Sequence, residues 1–441
     1  MYKSSILVGM VDIQFIRDNI EVVKQTAQNK NVSVDIDKLL ELDHKRRELL
    51  QQVEKLRKAR NENASQMQNG QPSPELVAEG KRIKESLGEL ETQLEPTESE
   101  YASILKSVPN IPLDYVPIGS TEDDNVVQKT VGEVPRFSFT PKSDAELGIQ
   151  NDSIDKERAA KVAGARFAYI KGDLVQMQFA IIQFVLQTLS DQKVIQKIID
   201  DHGLKIDSKP FTPVLPPAMV KTEPYEASGR LDAEEVTYKL SQDDLWMNAS
   251  AEHSMCTMYM NETLDEAQLP MRYVAYSTSF RREAGSYGKD TEGLFRMHQF
   301  DKIEMEVFST AETGLQEHKL LVAIQEYLVQ QLGLPYQLIQ KCTADIGKPN
   351  AQGVDINTWM PAQGEYRETH TADYMTDFQA RSLKTKVKRS SGKLELVHTN
   401  DATAFALGRI LKAIMENYQQ EDGTILIPEV LRPFMGGKDK I

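Results

Sequence analysis

Apolar residues near the N-terminus recur at the spacing of two long helices. Over residues 37–66 and 74–106 they fall at heptad-like intervals, as in helices that pack along one seam. The two seams consist of Leu42, Leu49, Val53 and Leu56, and of Ile83, Leu87, Leu90 and Leu94. Turn-forming residues lie between them at 68–74, so the pattern predicts an antiparallel helical hairpin. Pro96 is expected to kink or end the second helix.

The rest of the chain alternates helical and strand-like runs. Residues 107–150 contain several prolines and few periodic runs, so they are predicted to form a linker. A helix is predicted over 173–192, and strands are predicted at 274–276, 303–307 and 394–398. Most strands are joined by hairpin-like turns rather than by crossover helices. The sequence therefore predicts an α+β fold with an antiparallel sheet and helices packed on it.

Length, charge and cysteine content exclude several classes of protein. The length of 441 residues predicts two or three domains, and 40% apolar residues suffice for a packed core. With a net charge of −14, any nucleic-acid contact must use a local basic patch. Cys256 and Cys342 are the only cysteines, so neither a disulfide framework nor a zinc site is expected. The chain lacks a membrane-length apolar run and a targeting signal, so a cytoplasmic location without membrane contact is expected.

The first predicted helix of the hairpin carries a row of basic residues. Between positions 44 and 63 there are seven Lys or Arg against three Glu, whereas the second helix is rich in Glu. Two interpretations are open: ion pairs between the helices, or a basic ridge that follows a phosphate backbone. The candidate contact residues of such a ridge are Arg46, Arg47, Lys55, Arg57, Lys58 and Arg60.

A dense cluster of charged residues lies at 280–304. Arg281 and Arg296 stand near the bases of two strand-like runs that flank a glycine-containing loop at 285–289. Two arginines that converge on one pocket suit a polyphosphate, because guanidinium groups bind phosphate oxygens in a fixed fork. The loop is too short for G-x-x-x-x-G-K-[ST], so a P-loop is not expected. A charged surface hairpin is the alternative, but it leaves the residues at 300–304 unexplained.

This segment resembles motif 2 of class II aminoacyl-tRNA synthetases, in the version of the seryl-tRNA synthetase family. The resemblance extends over nearly the whole chain and includes the family's tRNA-binding helical arm. The other matching segments are VLPP at 214–217 (motif 1, whose proline lies at a dimer interface), YRE at 366–368 with DFQAR at 377–381, motif 3 at 406–419, and IPEVLRPFMGG at 427–437. One such motif can occur by chance, but five in the right order are specific to this family.

The resemblance implies a domain organisation and an activity. Residues 1–115 would be an N-terminal tRNA-binding domain with a helical arm at about 37–106, and residues 116–441 a class II catalytic domain. The implied reaction is the activation of L-serine with ATP and Mg²⁺, followed by transfer of the seryl group to the 3′ end of tRNA(Ser). The tRNA for selenocysteine, tRNA(Sec), is a second candidate acceptor. A homodimer is also implied.

The resemblance further implies the roles of individual residues. Arg281 would hold the α-phosphate and the serine carboxylate, and Arg409 would cover the adenine and reach phosphate, so both are catalytic candidates. The other ATP-binding candidates are Arg282, Glu283 (adenine amino group), Arg296 (γ-phosphate), Phe300 (adenine ring), Glu368, Thr369, His370 and Thr371, with Glu368 and Thr371 as Mg²⁺ ligands. The serine-binding candidates are Ser250, Ala251, Glu252, Arg281, Glu304 (ammonium) and Thr403 (hydroxyl).

The chain departs from the family pattern in this region. Residues 398–403 read HTNDAT where the family usually has HTLNGS, so Asp401 replaces an asparagine, and Ser250 replaces a threonine. We expect Asp401 either to lie near Glu304 with a cation between them, or to cap the helix of motif 3. A paralogue that loads another carrier and an inactive tRNA-binding homologue are the alternatives. The basic arm argues against the first, and the retained ATP motifs argue against the second.

Overall fold

The computed structural model describes residues 11–67, 73–231, 236–283 and 292–441, and the chain divides into two compact units. The first unit ends at Pro109, and the second comprises Asn110–Ile441. Most of the predicted turn at 68–74 and the whole glycine-containing loop at 285–289 lie outside the described residues.

The first unit is helical. Its described helices are α1 (Ile13–Asp18), α2 (Ile20–Asn29), α3 (Ile36–Met67) and α4 (Pro74–Ser107). The last two helices are the predicted hairpin, and the residues buried along their seam are Leu49, Val53, Ile83, Leu87 and Leu94. The hydroxyl of Ser73 caps α4 by accepting the N–H of Leu76 at 3.2 Å, and Pro74 occupies the first turn, where no N–H is required. The hairpin prediction is confirmed.

Pro96 lies inside α4, and the helix continues past it to Ser107. A proline in a helix interior costs about 3 kcal/mol, because it removes a hydrogen bond and crowds the preceding turn. Leu94, Thr97 and Tyr101 are all buried on either side of Pro96. Because tertiary packing supplies most of the stability of a helix in a protein, this buried face keeps the helix continuous.

The second unit combines helices with one large sheet. Its described helices are α5 (Asp144–Gln150), α6 (Lys156–Ala163), α7 (Asp173–Ser190), α8 (Gln192–Asp201), α9 (Thr222–Ala227), α10 (Glu252–Met255), α11 (Gly314–Gln331), α12 (Phe378–Leu383) and α13 (Leu407–Tyr418). Among the described residues, no helix of either unit is long and apolar enough to cross a bilayer.

The strands of the second unit are short except for those at the centre of the large sheet. They are β1 (Val126–Val131), β2 (Ile154–Asp155), β3 (Tyr169–Ile170), β4 (Thr212–Val214), β5 (Met219–Val220), β6 (Trp246–Met247), β7 (Thr263–Asp265), β8 (Met271–Phe280), β9 (Gln299–Ser309), β10 (Tyr336–Gln340), β11 (Gln352–Met360), β12 (Glu365–Thr376), β13 (Lys386–Lys388), β14 (Leu394–Leu396) and β15 (His398–Ala406).

Eight of these strands form the main sheet, in the order β1-β10-β11-β12-β15-β9-β8-β4. All neighbours are antiparallel except the edge pair β4 and β8, so the predicted antiparallel sheet is confirmed. Helices α7, α11 and α13 cover one face with a common apolar core. Along β9, the alternate residues Ile303, Met305 and Val307 join that core. Glu304 and Glu306 therefore project from the opposite face of the sheet.

Two sequence predictions differ from the observed fold. The run at 394–398 is divided between β14, in a three-stranded sheet, and β15, in the main sheet. The segment predicted to be a linker contains β1, which pairs with β10 at the sheet edge, and also α5. The side chains of β1 are mostly exposed, so the strand lacks the apolar alternation that would have predicted it.

A buried ion pair joins β8 to α11. The Nε and Nη2 atoms of Arg272 donate to the two carboxylate oxygens of Glu317 at 2.8 and 2.9 Å, and both side chains are almost inaccessible to solvent. Arg272 Nη1 also donates to the carbonyl of Lys209 at 2.6 Å. The guanidinium charge is therefore compensated by one carboxylate in a desolvated position.

Glu317→Gln should lower the free energy of unfolding by about 3–5 kcal/mol, because it leaves the charge of Arg272 buried without a counterion. Urea denaturation followed by circular dichroism measures this difference. Asp201→Asn removes one partner of the exposed Lys197–Asp201 pair on α8 and serves as the control, with an unchanged midpoint expected. Equal midpoints for both variants would contradict the prediction.

Candidate active site

A pocket opens on the polar face of the main sheet, where β9, β12 and β15 meet the start of α13. Its lining comprises Arg281, Glu283, Leu294, Phe295, Met297, Phe300, Lys302, Glu368, Thr369, Thr371, Thr403, Ala406, Gly408 and Arg409. Eight of the residues predicted from the sequence are in this lining. Of the serine-binding candidates, Arg281 and Thr403 belong to this lining, whereas Ser250, Ala251, Glu252 and Glu304 lie outside it, in the buried layer described below.

Arg281 directly follows β8 and is fixed in place from two sides. Its Nε atom donates to the carbonyl of Ala249 at 3.1 Å, and its guanidinium carbon lies 5.3 Å from the ring centre of Phe300. This contact is a cation–π pair, since the positive group lies over an aromatic ring. The pocket therefore contains a fixed arginine and an aromatic surface on which a flat ring could stack.

Glu283 lines the pocket and forms an ion pair with Arg296, which is not part of the lining, with 3.3 Å between Oε2 and Nη1. The backbone of Glu283 has φ of +47°, a left-handed conformation that is uncommon for residues other than glycine. Arg166 Nη1 donates to the carbonyl of Glu283 at 2.6 Å and helps to hold this conformation. The neighbouring Arg282 is not part of the lining, because it stacks on Tyr238 and donates to the carbonyl of Thr237.

Phe295 is held between two arginines. The guanidinium carbons of Arg367 and Arg409 each lie 4.7 Å from its ring centre. Arg409 Nη1 also donates to the backbone oxygen and the carboxylate of Glu368, at 2.9 and 2.8 Å. Phe295 and Arg367 were not identified as site residues from the sequence, although both lie inside quoted motifs. The ring sets the position of Arg409, which faces the pocket.

Thr369 and His370 differ in their surroundings. Thr369 contributes to the lining, and its hydroxyl contacts that of Thr358 at 2.7 Å. His370 is fully buried, with its ring centre 5.3 Å from that of Phe405, and it does not reach the pocket. Burial lowers the pKa of His370 to about 3, so the ring is neutral at physiological pH.

One corner of the pocket is rich in oxygen atoms. Desolvation raises the pKa of Glu368, but Arg409 and Lys341 outweigh it and lower that pKa to about 2, so the carboxylate stays ionised. The Thr371 hydroxyl and the Asp355 carboxylate are buried next to each other, and Asp355 Oδ2 lies 3.5 Å from Lys341 Nζ. The two residues pair directly across β11 and β12. Because Mg²⁺ prefers carboxylate and hydroxyl oxygens, this corner fits such an ion.

The amino-acid candidates form a buried layer next to Lys302. Lys302 Nζ forms a short ion pair with Glu304 Oε2 and donates to the hydroxyl of Ser250 at 3.3 Å. The Ser250 hydroxyl lies 3.2 Å from the same carboxylate oxygen. Thr403 pairs with Glu304 across β15 and β9. Glu304 Oε1 has no partner among the described residues, so one oxygen remains available to a ligand.

Asp401 lies in the middle of β15, well before α13 begins at Leu407. The alternative in which it caps that helix is therefore wrong. Its Oδ1 atom accepts from Arg230 Nη2 at 2.9 Å, so the cation beside Asp401 is this arginine. Arg230 also forms a short ion pair with Glu252, which is buried together with Ala251.

The basic residues of the helical arm fall into two groups. Arg46 and Arg57 pair with Glu98 and Glu91 of the facing helix, at 3.2 and 2.8 Å. Arg47 lies 3.2 Å from Asp43 on its own helix. The other candidates, which are exposed, are Lys55, Lys58 and Arg60. The ion-pair interpretation therefore holds for Arg46 and Arg57. A phosphate backbone would have access to Lys55, Lys58 and Arg60.

Comparisons with known proteins cover both units. Residues 10–112 match the family profile of the seryl-tRNA synthetase N-terminal domain, and residues 237–418 match that of the tRNA synthetase class II core domain (G, H, P, S and T). The serine–tRNA ligase of Symbiobacterium thermophilum is 39% identical over 430 residues, which are 96% of this chain and 98% of that protein.

Two solved structures are similar over nearly the whole chain. The seryl-tRNA synthetase from Pyrococcus horikoshii, complexed with ATP, has a TM-score of 0.84 and 35% identity, covering 98% of this chain and 99% of that one. The cytoplasmic serine–tRNA ligase from Naegleria fowleri, in complex with AMP, has a TM-score of 0.79 and 25% identity, covering 98% of both chains.

Phe295→Leu should weaken ATP binding about threefold to tenfold, because Arg409 loses a cation–π contact on the order of 1 kcal/mol. Isothermal titration calorimetry with ATP measures the change in Kd. Phe308→Leu is the matched control, since this buried ring contacts only Tyr259 and Tyr273 among the aromatic and cationic groups near it in the described structure. The prediction is wrong if Phe295→Leu binds ATP as tightly as the parent protein.

Proposed function

The chain belongs to the seryl-tRNA synthetase family of ATP-dependent class II ligases, and we propose that its pocket activates L-serine with ATP and supplies the seryl group to tRNA(Ser). The observation that carries this proposal is the arrangement of two sites side by side. Arg281, Phe300 and Arg409 form a cationic and aromatic end suited to a nucleotide. Glu304, with an unpartnered buried oxygen, and Thr403 form an adjacent end suited to an ammonium and a hydroxyl group.

The first step requires positioning more than proton transfer. The serine carboxylate is already ionised, so it can attack the α-phosphorus of ATP in line while pyrophosphate leaves. Arg281 would neutralise charge on the α-phosphate and orient the carboxylate, since a guanidinium keeps its charge and binds oxygens as a fork. Phe300 would hold the adenine ring, and Arg296 would contact the γ-phosphate. Arg281 therefore contributes to catalysis by electrostatic stabilisation.

Glu368 and Thr371 are proposed to hold Mg²⁺, and Asp355 would provide a further oxygen nearby. When bound, Mg²⁺ supplies positive charge to the polyphosphate. The low pKa of Glu368 keeps its carboxylate ready for a cation. Arg409, fixed by Glu368 and Phe295, would cover the adenine and reach phosphate from the other side.

Serine recognition is proposed to rest on paired polar groups. Glu304 would bind the ammonium, Thr403 the hydroxyl, and the segment of Ser250, Ala251 and Glu252 would enclose the amino acid. Alanine would leave the polar group of Thr403 without its partner in a desolvated site, which disfavours alanine. A 3′-terminal hydroxyl of the tRNA then attacks the carbonyl carbon of seryl-adenylate, and AMP leaves.

The arm is proposed to bind tRNA(Ser), and tRNA(Sec) is a second acceptor to test. Lys55, Lys58 and Arg60 are exposed on α3 and would contact the phosphate backbone. The presence of this arm in a chain with full-length relatives among serine–tRNA ligases favours a tRNA over another carrier.

A homodimer is proposed from the motif 1 segment. This segment begins at Val214, the last residue of the edge strand β4, and Leu215 within it is 81% exposed. A large apolar side chain beside a sheet edge suits coverage by a second copy of the chain. We also propose a cytoplasmic location, which both the role in translation and the two unpaired cysteines, Cys256 and Cys342, favour.

Arg281→Ala should reduce serine-dependent exchange of pyrophosphate into ATP by about 10²–10³-fold, because a desolvated arginine that stabilises phosphorus charge contributes several kcal/mol. The adjacent Arg282→Ala is the matched control. Arg282 stacks on Tyr238 outside the pocket, so a much smaller loss is expected. Circular dichroism of both variants verifies folding. Near-normal exchange by a folded Arg281→Ala protein would overturn the assignment of the pocket.

Replacing Lys55, Lys58 and Arg60 together with glutamine should weaken tRNA(Ser) binding and lower the slope of log K against log salt. The slope should fall by roughly one unit for each lost phosphate contact. Arg46→Gln with Arg57→Gln is the comparison, and it should change the slope less because both arginines are engaged by carboxylates. Filter binding at several salt concentrations measures the slopes. An unchanged slope in the triple variant would place the tRNA on another surface.

A further inference from the structure

Arg230 lies in the loop after α9, and its side chain is 16% exposed. Its Nε atom forms a short ion pair with Glu252, and its Nη2 atom lies 2.9 Å from Asp401 and 3.6 Å from Asp373. The three carboxylates come from α10, β15 and β12. Arg230 is not among the residues that line the pocket. The guanidinium of Arg230 thus connects β12 and β15 of the main sheet to the short helix α10, which carries part of the proposed serine site.

Charge compensation makes this guanidinium hard to replace. Five carboxyl groups of the described residues are buried in this layer: Glu252, Glu304, Glu306, Asp373 and Asp401. Lys302 pairs with Glu304. Burial raises the pKa of Glu306 well above its usual value, which favours the neutral form, and neither of its oxygens has a hydrogen-bond partner among the described residues. The three remaining carboxyl groups share Arg230.

A chain of contacts leads from Arg230 to the serine site. The backbone N–H of Glu252 donates to the hydroxyl of Ser250 at 3.4 Å, and that hydroxyl lies 3.2 Å from Glu304 Oε2. The Glu252 carboxylate also accepts from the side-chain amide of Gln379 at 3.5 Å. Arg230 is therefore the main charged group that fixes Glu252, and through it the start of α10.

We propose that Arg230 is a positioning residue of the serine pocket, and that Asp401 affects serine selectivity by anchoring Arg230 rather than by touching the amino acid. This inference rests on the proposed function. It also accounts for the carboxylate at position 401, where the family usually has asparagine. An asparagine would offer Arg230 one neutral oxygen, whereas the aspartate places a carboxyl group 2.9 Å from the guanidinium, where the two can form an ion pair. Burial raises the pKa of Asp401, and the charge of Arg230 opposes that shift.

A double-mutant cycle with Arg230→Gln and Asp401→Asn tests the proposal, with the Michaelis constants measured by pyrophosphate exchange. Arg230→Gln should raise KM for serine on the order of tenfold, because the residues around the amino acid lose their fixed positions. KM for ATP should change by less than about twofold, since the nucleotide end is held by other contacts. Asp401→Asn should raise KM for serine less, because Glu252 and Asp373 still face Arg230.

The double variant should recover part of the loss. Glutamine and asparagine at these positions can hydrogen-bond without a net charge, so KM for serine should be at least about threefold below the product of the two single effects. Arg230→Lys retains the charge but not the fork, and it should lie between the parent and Arg230→Gln. Discrimination against alanine should be highest in the parent protein, lower in Arg230→Lys and lowest in Arg230→Gln.

The control is Glu317→Gln, which breaks a buried ion pair of the same sheet away from the pocket. It should lower stability without changing KM for serine. If Arg230→Gln behaves like this control, or if the two single effects simply multiply, the inference is overturned while the proposed function stands. If Arg230→Gln does not fold, Asp401→Asn and Arg230→Lys decide, because unchanged serine kinetics in both would also overturn it. Parent protein that shows no serine-dependent exchange would refute the proposed function and this inference together.

Discussion

The pairing register of β9 with its neighbours is the constraint on which the site depends. Thr403 of β15 and Ala275 of β8 both lie opposite Glu304, so a carboxylate, a hydroxyl and a small side chain share one row of the sheet. A shift by one residue would move Glu304 to the face covered by helices, where Met305 and Val307 now pack. Because Ile303, Met305 and Val307 of β9 face the core, Glu304 and Glu306 must project from the opposite face of the sheet.

The polar face of this sheet is buried, and its charges must therefore be balanced within the protein. Lys302 pairs with Glu304 and also contacts Ser250, so the ammonium group of a substrate would enter an existing network of charges. At the nucleotide end the guanidinium groups of Arg281, Arg296 and Arg409 outnumber the carboxylates of Glu283 and Glu368, so these named groups carry a net positive charge. The ammonium group of an amino acid is positive, whereas a polyphosphate is negative. Glu304 at one end of the pocket and Arg281 and Arg409 at the other have the charges that would attract these two groups.

Much of the fold and part of the site follow from local sequence patterns. The seam of α3 and α4 could be predicted because its spacing is repeated over many turns. Arg281, Phe300 and Glu304 could be identified because they stand in one motif. Arg230 could not, because its partners Glu252 and Asp401 come from separate elements that only folding brings together. Val397 separates two strands whose alternation is continuous in the sequence, so periodicity could not locate the break.

The two edge strands of the main sheet have features that disfavour pairing with strands of other molecules. At one edge, β1 has an irregular register between Val127 and Lys129, and Lys129 forms an ion pair with Glu326. At the other, β4 has three residues, of which Pro213 lacks a backbone N–H. Bulged, charged, short or proline-containing edges are poor templates for another strand. Both edges of the sheet therefore disfavour edge-to-edge pairing with a strand of another molecule.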